Sequence, residues 1–313
     1  MPPFQFARVS AAAGAFIWLI ALLIKTGDSP ETELIQKIFL LGIFVIVPLA
    51  LSLVSAEESL VSLRLAVWAQ PFAAAICFIS FLFPQGFAAG ILASVWLALT
   101  ALVALAGALR VLLSNQITGA DLTISAGMVY LPVGGAWLVA SRVGLQPLGF
   151  GDTIVLLTAV HFHFAGFAAP ILTGLTARWL NDRKSNQRIV LVAGMAIILG
   201  MPLVATGITL SPKLALAGAL LITIGLFLLG LAVLLWIVPR INGWFSRVLL
   251  VVSSLSAIAA MLLACAYAYS IVTHTLIIDI PRMAITHGLL NSFGFSLCGL
   301  LAWSFVASDF EKR

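Results

Sequence analysis

The residues best suited to chemistry in this sequence are its histidines, and all of them lie in or beside apolar segments. The chain has 313 residues and only four histidines. His161 and His163 stand two residues apart in the segment AVHFHFAGFAAP at 159–170, which contains no charged residue. The other two are His274 and His287. An ionisable side chain within a membrane is costly, so it usually points into the protein and has a function.

Counting along the apolar segments, with both chain ends taken as cytoplasmic, places all four histidines in the outer half or near the middle of the bilayer. His161 and His163 lie about 14–17 Å below the outer boundary of the sixth segment, at a rise of about 1.5 Å per residue. His274 lies near the outer end of the ninth segment, and His287 lies about 9 Å into the tenth. This concentration predicts an outward-facing polar pocket between the sixth, ninth and tenth segments.

Helical spacing adds polar companions to the histidines. Asn291 follows His287 by one turn, on a face that also carries Gly294. Residues two apart on a helix point about 200° away from each other, so His161 and His163 belong to different faces. On the ninth segment, Tyr267, Ser270 and His274 share one face by the same spacing. The candidate pocket comprises His161, His163, His274, His287, Asn291, Tyr267, Thr158 and Ser270.

Four interpretations of these residues are open. Imidazole is the commonest metal ligand and also holds haem iron, so His161, His163, His274 and His287 are candidate ligands of a transition metal or of haem. Because His161 and His163 point apart, both can bind one metal only if the helix is distorted. A histidine pair can instead transfer protons on a lipophilic ligand. The rivals are a proton-coupled transporter or permease with interrupted helices, and a scaffold subunit without chemistry. Enzymatic activity is left undecided.

The composition predicts a polytopic membrane protein, since 62% of the residues are hydrophobic and only 9% are charged. We expect an all-α bundle that forms a single integral membrane domain over residues 1–313, and we interpret the first apolar run as a retained helix. The two short breaks at 84–86 and 210–212 decide the count of spans. Ten spans are predicted, at 7–24, 34–54, 62–83, 87–109, 118–140, 152–176, 188–209, 213–238, 246–276 and 281–306.

Lysine and arginine positions predict the orientation. With a cytoplasmic N-terminus, eleven of the sixteen basic residues lie on the inner side, including the dense block at 178–188, which favours both termini inside a bacterial cytoplasmic membrane. Basic residues confined to short loops give no indication of nucleic-acid binding. The lipid bilayer is the expected partner, with a lipophilic small molecule as a further candidate. The lone cysteines Cys77, Cys265 and Cys298 predict no disulfide.

Two segments give the sequence a resemblance. HFHFAGFAAP at 161–170 and MAITHGLLNSFGFSLCGLLAW at 283–303 resemble the YndJ-like family of multi-pass bacterial membrane proteins. Phe164 stands where the first motif of that family often has tyrosine, so a hydroxyl is missing here. The resemblance implies a membrane protein and no particular chemistry. It groups together His161, His163, Gly166, Phe167, His287, Gly288, Asn291 and Gly294.

Overall fold

The computed structural model describes residues 1–55 and 60–311, and the residues so described form helices and no strand. Ten of the helices are long and apolar enough to cross a membrane, which confirms the predicted class and count. Their bounds are α1 Pro3–Ala21, α2 Pro30–Ser55, α3 Val61–Ser80, α4 Phe87–Leu112, α5 Gly119–Val143, α6 Asp152–Asp182, α7 Gln187–Leu210, α8 Pro212–Arg240, α9 Trp244–Thr273 and α10 Ile280–Ala307.

Both short breaks on which the helix count depended are real turns. Helix α3 ends at Ser80 and α4 begins at Phe87, whereas Ser211 alone separates α7 from α8. Pro212 has no backbone N–H to continue α7, and it occupies the first position of α8, where a proline is well tolerated. The membrane orientation of the two termini stays a prediction. Two of the basic residues that support it, Lys312 and Arg313, lie outside the described residues.

The chain divides into two compact units. Unit 1 comprises Met1–Gln116 and Ser125–Ala168, and unit 2 comprises Ile117–Ile124 and Ala169–Arg313. Each unit has its own helical core, and the two are described separately below. The single integral membrane domain therefore stays a prediction.

Four of the ten helices contain π-helical segments, in which the backbone bonds to the fifth residue along instead of the fourth. They occur at Gly42–Ile46 in α2, Phe162–Ala168 in α6, Val233–Ile237 in α8, and Ala284–Gly288 and Leu290–Leu297 in α10. Such segments are rare and are often found at functional sites. Here, the segments of α6 and α10 coincide with the two family-like motifs.

Helix α2 is the central helix of unit 1, and the most apolar 18-residue stretch of its span is entirely buried. Its π-helical segment leaves a carbonyl available at Ile43, and the Gln70 side-chain amide of α3 donates to that oxygen at 2.7 Å. The Gln70 carbonyl in turn accepts from the Ser10 hydroxyl of α1 at 2.8 Å. A buried carbonyl without a donor is costly, so the hydrogen bond from Gln70 stabilises α2 at its π-helical segment by satisfying the Ile43 carbonyl.

We expect Gln70→Leu to lower the free energy of unfolding by about 1–3 kcal/mol, because it removes the donor to the buried Ile43 carbonyl. Thermal unfolding of the purified protein in detergent measures the effect. The matched control is Ser94→Ala, since the Ser94 hydroxyl is exposed and donates only within its own helix, to Ile91. Equal stability of the two variants would contradict this role of Gln70.

In unit 2, glycines bring α7 and α8 into backbone contact. A Cβ atom added to Gly218 would lie 2.6 Å from the Val204 backbone nitrogen, and one added to Gly207 would lie 2.5 Å from the Ala215 Cα. Small residues at helix contacts allow this close approach in lipid. The close packing explains how a one-residue connection can join two membrane-spanning helices.

Candidate functional site

His163 lies at the centre of unit 1 and is completely buried. Two fully buried aromatic side chains flank it, Phe39 of α2 and Trp96 of α4. The Phe39 ring meets the imidazole edge to face, with 4.9 Å between the ring centroids. A polar ring in such surroundings requires hydrogen bonds on both of its nitrogens, because an unsatisfied polar atom costs about 1–3 kcal/mol.

Both nitrogens of His163 are satisfied, and their partners fix the tautomer. The Trp96 Nε1–H donates to His163 Nε2 at 2.9 Å. An indole nitrogen can only donate, so Nε2 accepts and carries no hydrogen. His163 Nδ1–H donates to the Ala159 carbonyl at 2.7 Å. The ring is therefore neutral, with its single proton on Nδ1.

One glycine makes room for the His163 ring, and a second lies nearby in ordinary contact. A Cβ atom on Gly134 of α5 would lie 2.7 Å from His163 Nδ1 and 3.0 Å from the Phe162 Cβ. Gly42, at the start of the π-helical segment of α2, lies against the Phe164 ring and the His163 Cβ. Phe164 thus packs on α2 at the position where the family motif often has tyrosine. No hydroxyl of its own links this ring to the site.

His161 lies on the opposite side of α6, as the spacing predicts. It is exposed, its Nδ1–H donates to the Leu157 carbonyl at 2.9 Å, and the half-buried Thr158 shares its face. The Thr158 hydroxyl donates to the Ile154 carbonyl at 2.8 Å. The two histidines of the HxH motif thus differ in environment, since one is accessible from outside the bundle and the other is enclosed.

Helix α6 does contain a local distortion of the kind that a metal shared by His161 and His163 would require. The π-helical segment Phe162–Ala168 ends just before Pro170, which has no N–H to donate to the Gly166 carbonyl. This distortion does not bring His161 and His163 onto one face.

The second motif forms a hydrogen-bonded pair in unit 2. His287 is 9% exposed, and its Nδ1–H donates to the Ala260 carbonyl of α9 at 2.8 Å. Asn291, one turn further along α10, donates from Nδ2 to His287 Nε2 at 2.9 Å. The predicted face therefore exists and is directed at α9, where Gly294 also lies against the Ser256 side chain.

His274, Ser270 and Tyr267 lie at the far end of α9. His274 is exposed and ends the helix in a left-handed conformation, with φ 54°. Ser270 is buried, and its hydroxyl accepts from the Ile277 backbone N–H at 3.3 Å, so it shapes the turn into α10. Tyr267 is half-buried. These residues share one end of the helix, and Ser270 has a structural role there.

The geometry gives no support to a metal shared by His274 and His287. The His287 ring binds Ala260, which lies fourteen residues before His274 on α9. At about 1.5 Å per residue, that is about 20 Å along the helix axis. Among the residues that the structure describes, no group of three or more His, Cys, Asp or Glu side chains could hold a metal ion. The common pocket of all four histidines involves both units and stays a prediction, as does metal or haem binding.

Sequence reasoning did not find Trp96, Gly134 or Gln70. Trp96 carries a signal that could have been used, because it lies in the middle of a helix, whereas membrane tryptophans concentrate at the interfaces. The partners of Gly134 and Gln70 lie on other helices, at positions that no spacing along the chain specifies.

Ten apolar helices with hydrogen-bonded polar side chains among them define a multi-pass helical membrane protein. The model of the family described as YndJ-like protein matches residues 37–295, and this chain belongs to that family. A Bacillus subtilis (strain 168) protein named Uncharacterized membrane protein YndJ is 29% identical over 183 residues. That match covers 58% of this chain and 32% of the relative, so the chain spans about a third of the relative's length. No solved structure matches the chain.

Proposed function

We propose that this protein is a proton-coupled transporter in which His287 accepts the coupling proton. The observation that carries the proposal is the hydrogen bond between Asn291 and His287 Nε2. A side-chain amide has both a donor and an acceptor. If the Asn291 side-chain amide makes half a rotation about its Cβ–Cγ bond, its carbonyl oxygen takes the place of its N–H. That oxygen then accepts a hydrogen bond from protonated His287. The His287 ring can therefore take up a proton and keep a hydrogen-bond partner on both of its nitrogens.

His163 supports the proposal by contrast. Its partner, the Trp96 indole, can only donate. A second proton on His163 would place two N–H donors against each other in a fully buried site. His163 therefore stays neutral for as long as Trp96 remains beside it, and we assign it a positioning role in unit 1. The two motif histidines then have separate tasks.

The interrupted helices also favour transport. Transporters often form their sites where helices are discontinuous, since backbone groups freed there can bind or change partners. Unit 1 contains π-helical segments in α2 and α6, and unit 2 contains them in α8 and α10. His163 and His287 each lie within one of these segments.

A second candidate is acid–base chemistry on a lipophilic ligand, and the position of His161 favours it. His161 is exposed on the surface of an apolar helix, beside Thr158, where a molecule dissolved in the bilayer can reach it. Under this alternative, His161→Gln abolishes the function while His287→Gln preserves it. The proton-coupled transporter predicts the reverse.

A metal or haem on the motif histidines requires a different arrangement of the same residues. The Nε2 atoms of His163 and His287 already accept from Trp96 and Asn291, so these donors would have to leave before a metal could bind. Elemental analysis and a visible spectrum of the purified protein test this alternative directly. Stoichiometric iron, zinc or copper, or a Soret band, would favour it over the transporter. For the location of the protein we propose the bacterial cytoplasmic membrane, with both termini inside.

Proton-driven uptake tests the proposed function. Proteoliposomes at internal pH 7.5 are diluted into pH 5.5 with a mixture of amino acids, sugars, organic acids and nucleosides, and their contents are analysed by mass spectrometry. We expect at least one solute to accumulate about tenfold over protein-free vesicles, and nigericin to abolish the accumulation. His287→Gln removes it, whereas the control His274→Gln preserves it. Equal accumulation in wild type and His287→Gln, or none in wild type, would overturn the proposal.

A further inference from the structure

Polar side chains continue from the His287–Asn291 pair along the contact between α9 and α10 in unit 2. Ser256 lies against Gly294, and one turn further the Ser253 hydroxyl donates to the Phe295 carbonyl at 2.8 Å. Ser256, Ser253 and the neighbouring Ser254 are all at least nine-tenths buried. From His287 to Gly299 this contact extends for about 18 Å, at about 1.5 Å per residue. Polar groups therefore line more than half the thickness of a ~30 Å hydrocarbon layer.

A small cavity lies at the end of this row of hydroxyls that is farther from His287. Its volume is about 20 Å³, and α6, α8, α9 and α10 all contribute to its wall. Three hydroxyl-bearing residues line it, Thr176, Ser253 and Ser254, among apolar side chains that include Phe295 and Trp303. A cavity above about 10–15 Å³ can hold one water molecule if polar partners are present.

The hydroxyls of the cavity are arranged to accept hydrogen bonds. Each already donates to a backbone carbonyl, Thr176 to Leu172 at 2.8 Å and Ser254 to Leu250 at 2.9 Å, besides the bond from Ser253 to Phe295. A hydroxyl oxygen has two lone pairs, which these bonds leave available. A water molecule has two hydrogens to donate, and three hydroxyl-bearing residues line the cavity.

We propose that this cavity holds one water molecule, bound by Thr176, Ser253 and Ser254, and that the water relays the protons that His287 takes up. The relay rests on the proposed function, whereas the water site stands on the geometry alone. The step is a proton transfer only. The Ser253 hydroxyl turns away from the Phe295 carbonyl and gives its proton to the water, and it takes a replacement proton from His287 through Ser256. The water gives one of its protons to the Thr176 oxygen, whose own hydroxyl proton leaves the Leu172 carbonyl and passes to bulk water beyond the end of α6. Every oxygen thus regains its original number of hydrogens, and no covalent bond to carbon changes.

X-ray radiolytic labelling of the full chain in liposomes tests the water site without any transport measurement. Hydroxyl radicals formed from a bound water oxidise the side chains next to it. We expect Phe295 and Trp303 to be oxidised at least fivefold faster than Phe39 and Trp96, which are buried and do not line this cavity. Equal oxidation rates would overturn the water site.

Two variants and one control distinguish oxidation caused by a bound water from oxidation caused by general solvent access to Phe295 and Trp303. Ser253→Ala with Ser254→Ala removes two acceptors, and Gly299→Ala fills space, since its Cβ would lie 2.8 Å from the Ser253 hydroxyl. Both should return the oxidation of Phe295 and Trp303 to the rate of Phe39. The control Ser304→Ala removes a hydroxyl of α10 that does not line the cavity and donates to Leu300. Gel filtration and thermal unfolding confirm that each variant is folded.

Uptake by the same variants tests the relay. We expect the double serine variant to lose at least 90% of proton-driven accumulation and Ser304→Ala to retain it. Full accumulation in the double variant would overturn the relay. Should wild type show no uptake, the proposed function and the relay fail together, and the labelling still decides whether the water is present.

Discussion

Trp96→Phe is expected to lower the free energy of unfolding by about 2–4 kcal/mol. The substitution removes the N–H that donates to His163 Nε2 and leaves an unsatisfied acceptor in a fully buried site. The smaller ring also leaves a void in the core of unit 1. Thermal or denaturant unfolding in detergent gives the stability, and nitrogen chemical shifts of the histidine side chains show whether Nε2 has lost its partner.

Trp68→Phe provides the matched control. Trp68 is a helical tryptophan of the same unit, but it is 40% exposed, so the same chemical change removes much less buried packing there. We expect its effect to stay below about 1 kcal/mol, which is usual for substitutions at exposed positions. If the two variants lose the same stability, or if the His163 shifts do not change in Trp96→Phe, the assignment of this hydrogen bond is wrong.

Gly218→Ala is expected to cost about 3 kcal/mol or more, an unusually large effect for a single methyl group. The added Cβ would lie 2.6 Å from the Val204 nitrogen and 2.9 Å from the Leu203 carbonyl carbon, both backbone atoms that no side-chain rotation can move. To accommodate the methyl group, the backbones of α7 and α8 would have to move apart. The single connecting residue, Ser211, leaves little freedom for such a movement. Overpacking of a core typically costs about 1–3 kcal/mol, and here the backbone itself is the obstacle.

The comparison that isolates this effect is Gly42→Ala, another glycine inside a membrane-spanning helix. There, the nearest atom to the new Cβ is the Phe164 Cε2 at 3.4 Å, an ordinary contact with a side chain. We expect Gly42→Ala to change the stability by less than about 1 kcal/mol, since alanine also favours the helix. If Gly218→Ala lowered the free energy of unfolding as little as Gly42→Ala does, the packing of α7 on α8 would not depend on the glycine contact.

The sequence alone predicts much of this architecture, for identifiable reasons. Apolar segments of about 20 residues give the ten helices, because a bilayer leaves the backbone few alternatives to helix. The one-turn spacing of His287 and Asn291 predicts that they share a helix face, and the two side chains form a hydrogen bond there. The spacing of two residues likewise predicts different faces for His161 and His163, as observed. All of these are properties of single helices.

Features that depend on contacts between helices could not be predicted in this way. Trp96 donates to His163 across 67 positions of sequence, and Gln70 reaches the Ile43 carbonyl across 27. Neither pair leaves a trace in helical periodicity. The π-helical segments are only partly hidden. Those of α2, α6 and α8 end two residues before Pro48, Pro170 and Pro239, whereas no proline follows the segments of α10. Counting residues placed His274 and His287 in the same outer leaflet. The His287 ring, however, contacts Ala260, which lies fourteen residues before His274 on α9.

The most direct test of the central claim is to count the protons on the two motif histidines. Solid-state NMR of histidine-labelled His161→Gln/His274→Gln protein in lipid bilayers observes only His163 and His287, and one further substitution assigns the signals. We predict that both rings carry a single proton on Nδ1 at pH 7.5, and that at pH 5.5 His287 alone gains a second. A doubly protonated His163, or a His287 that stays neutral at pH 5.5, would contradict the account.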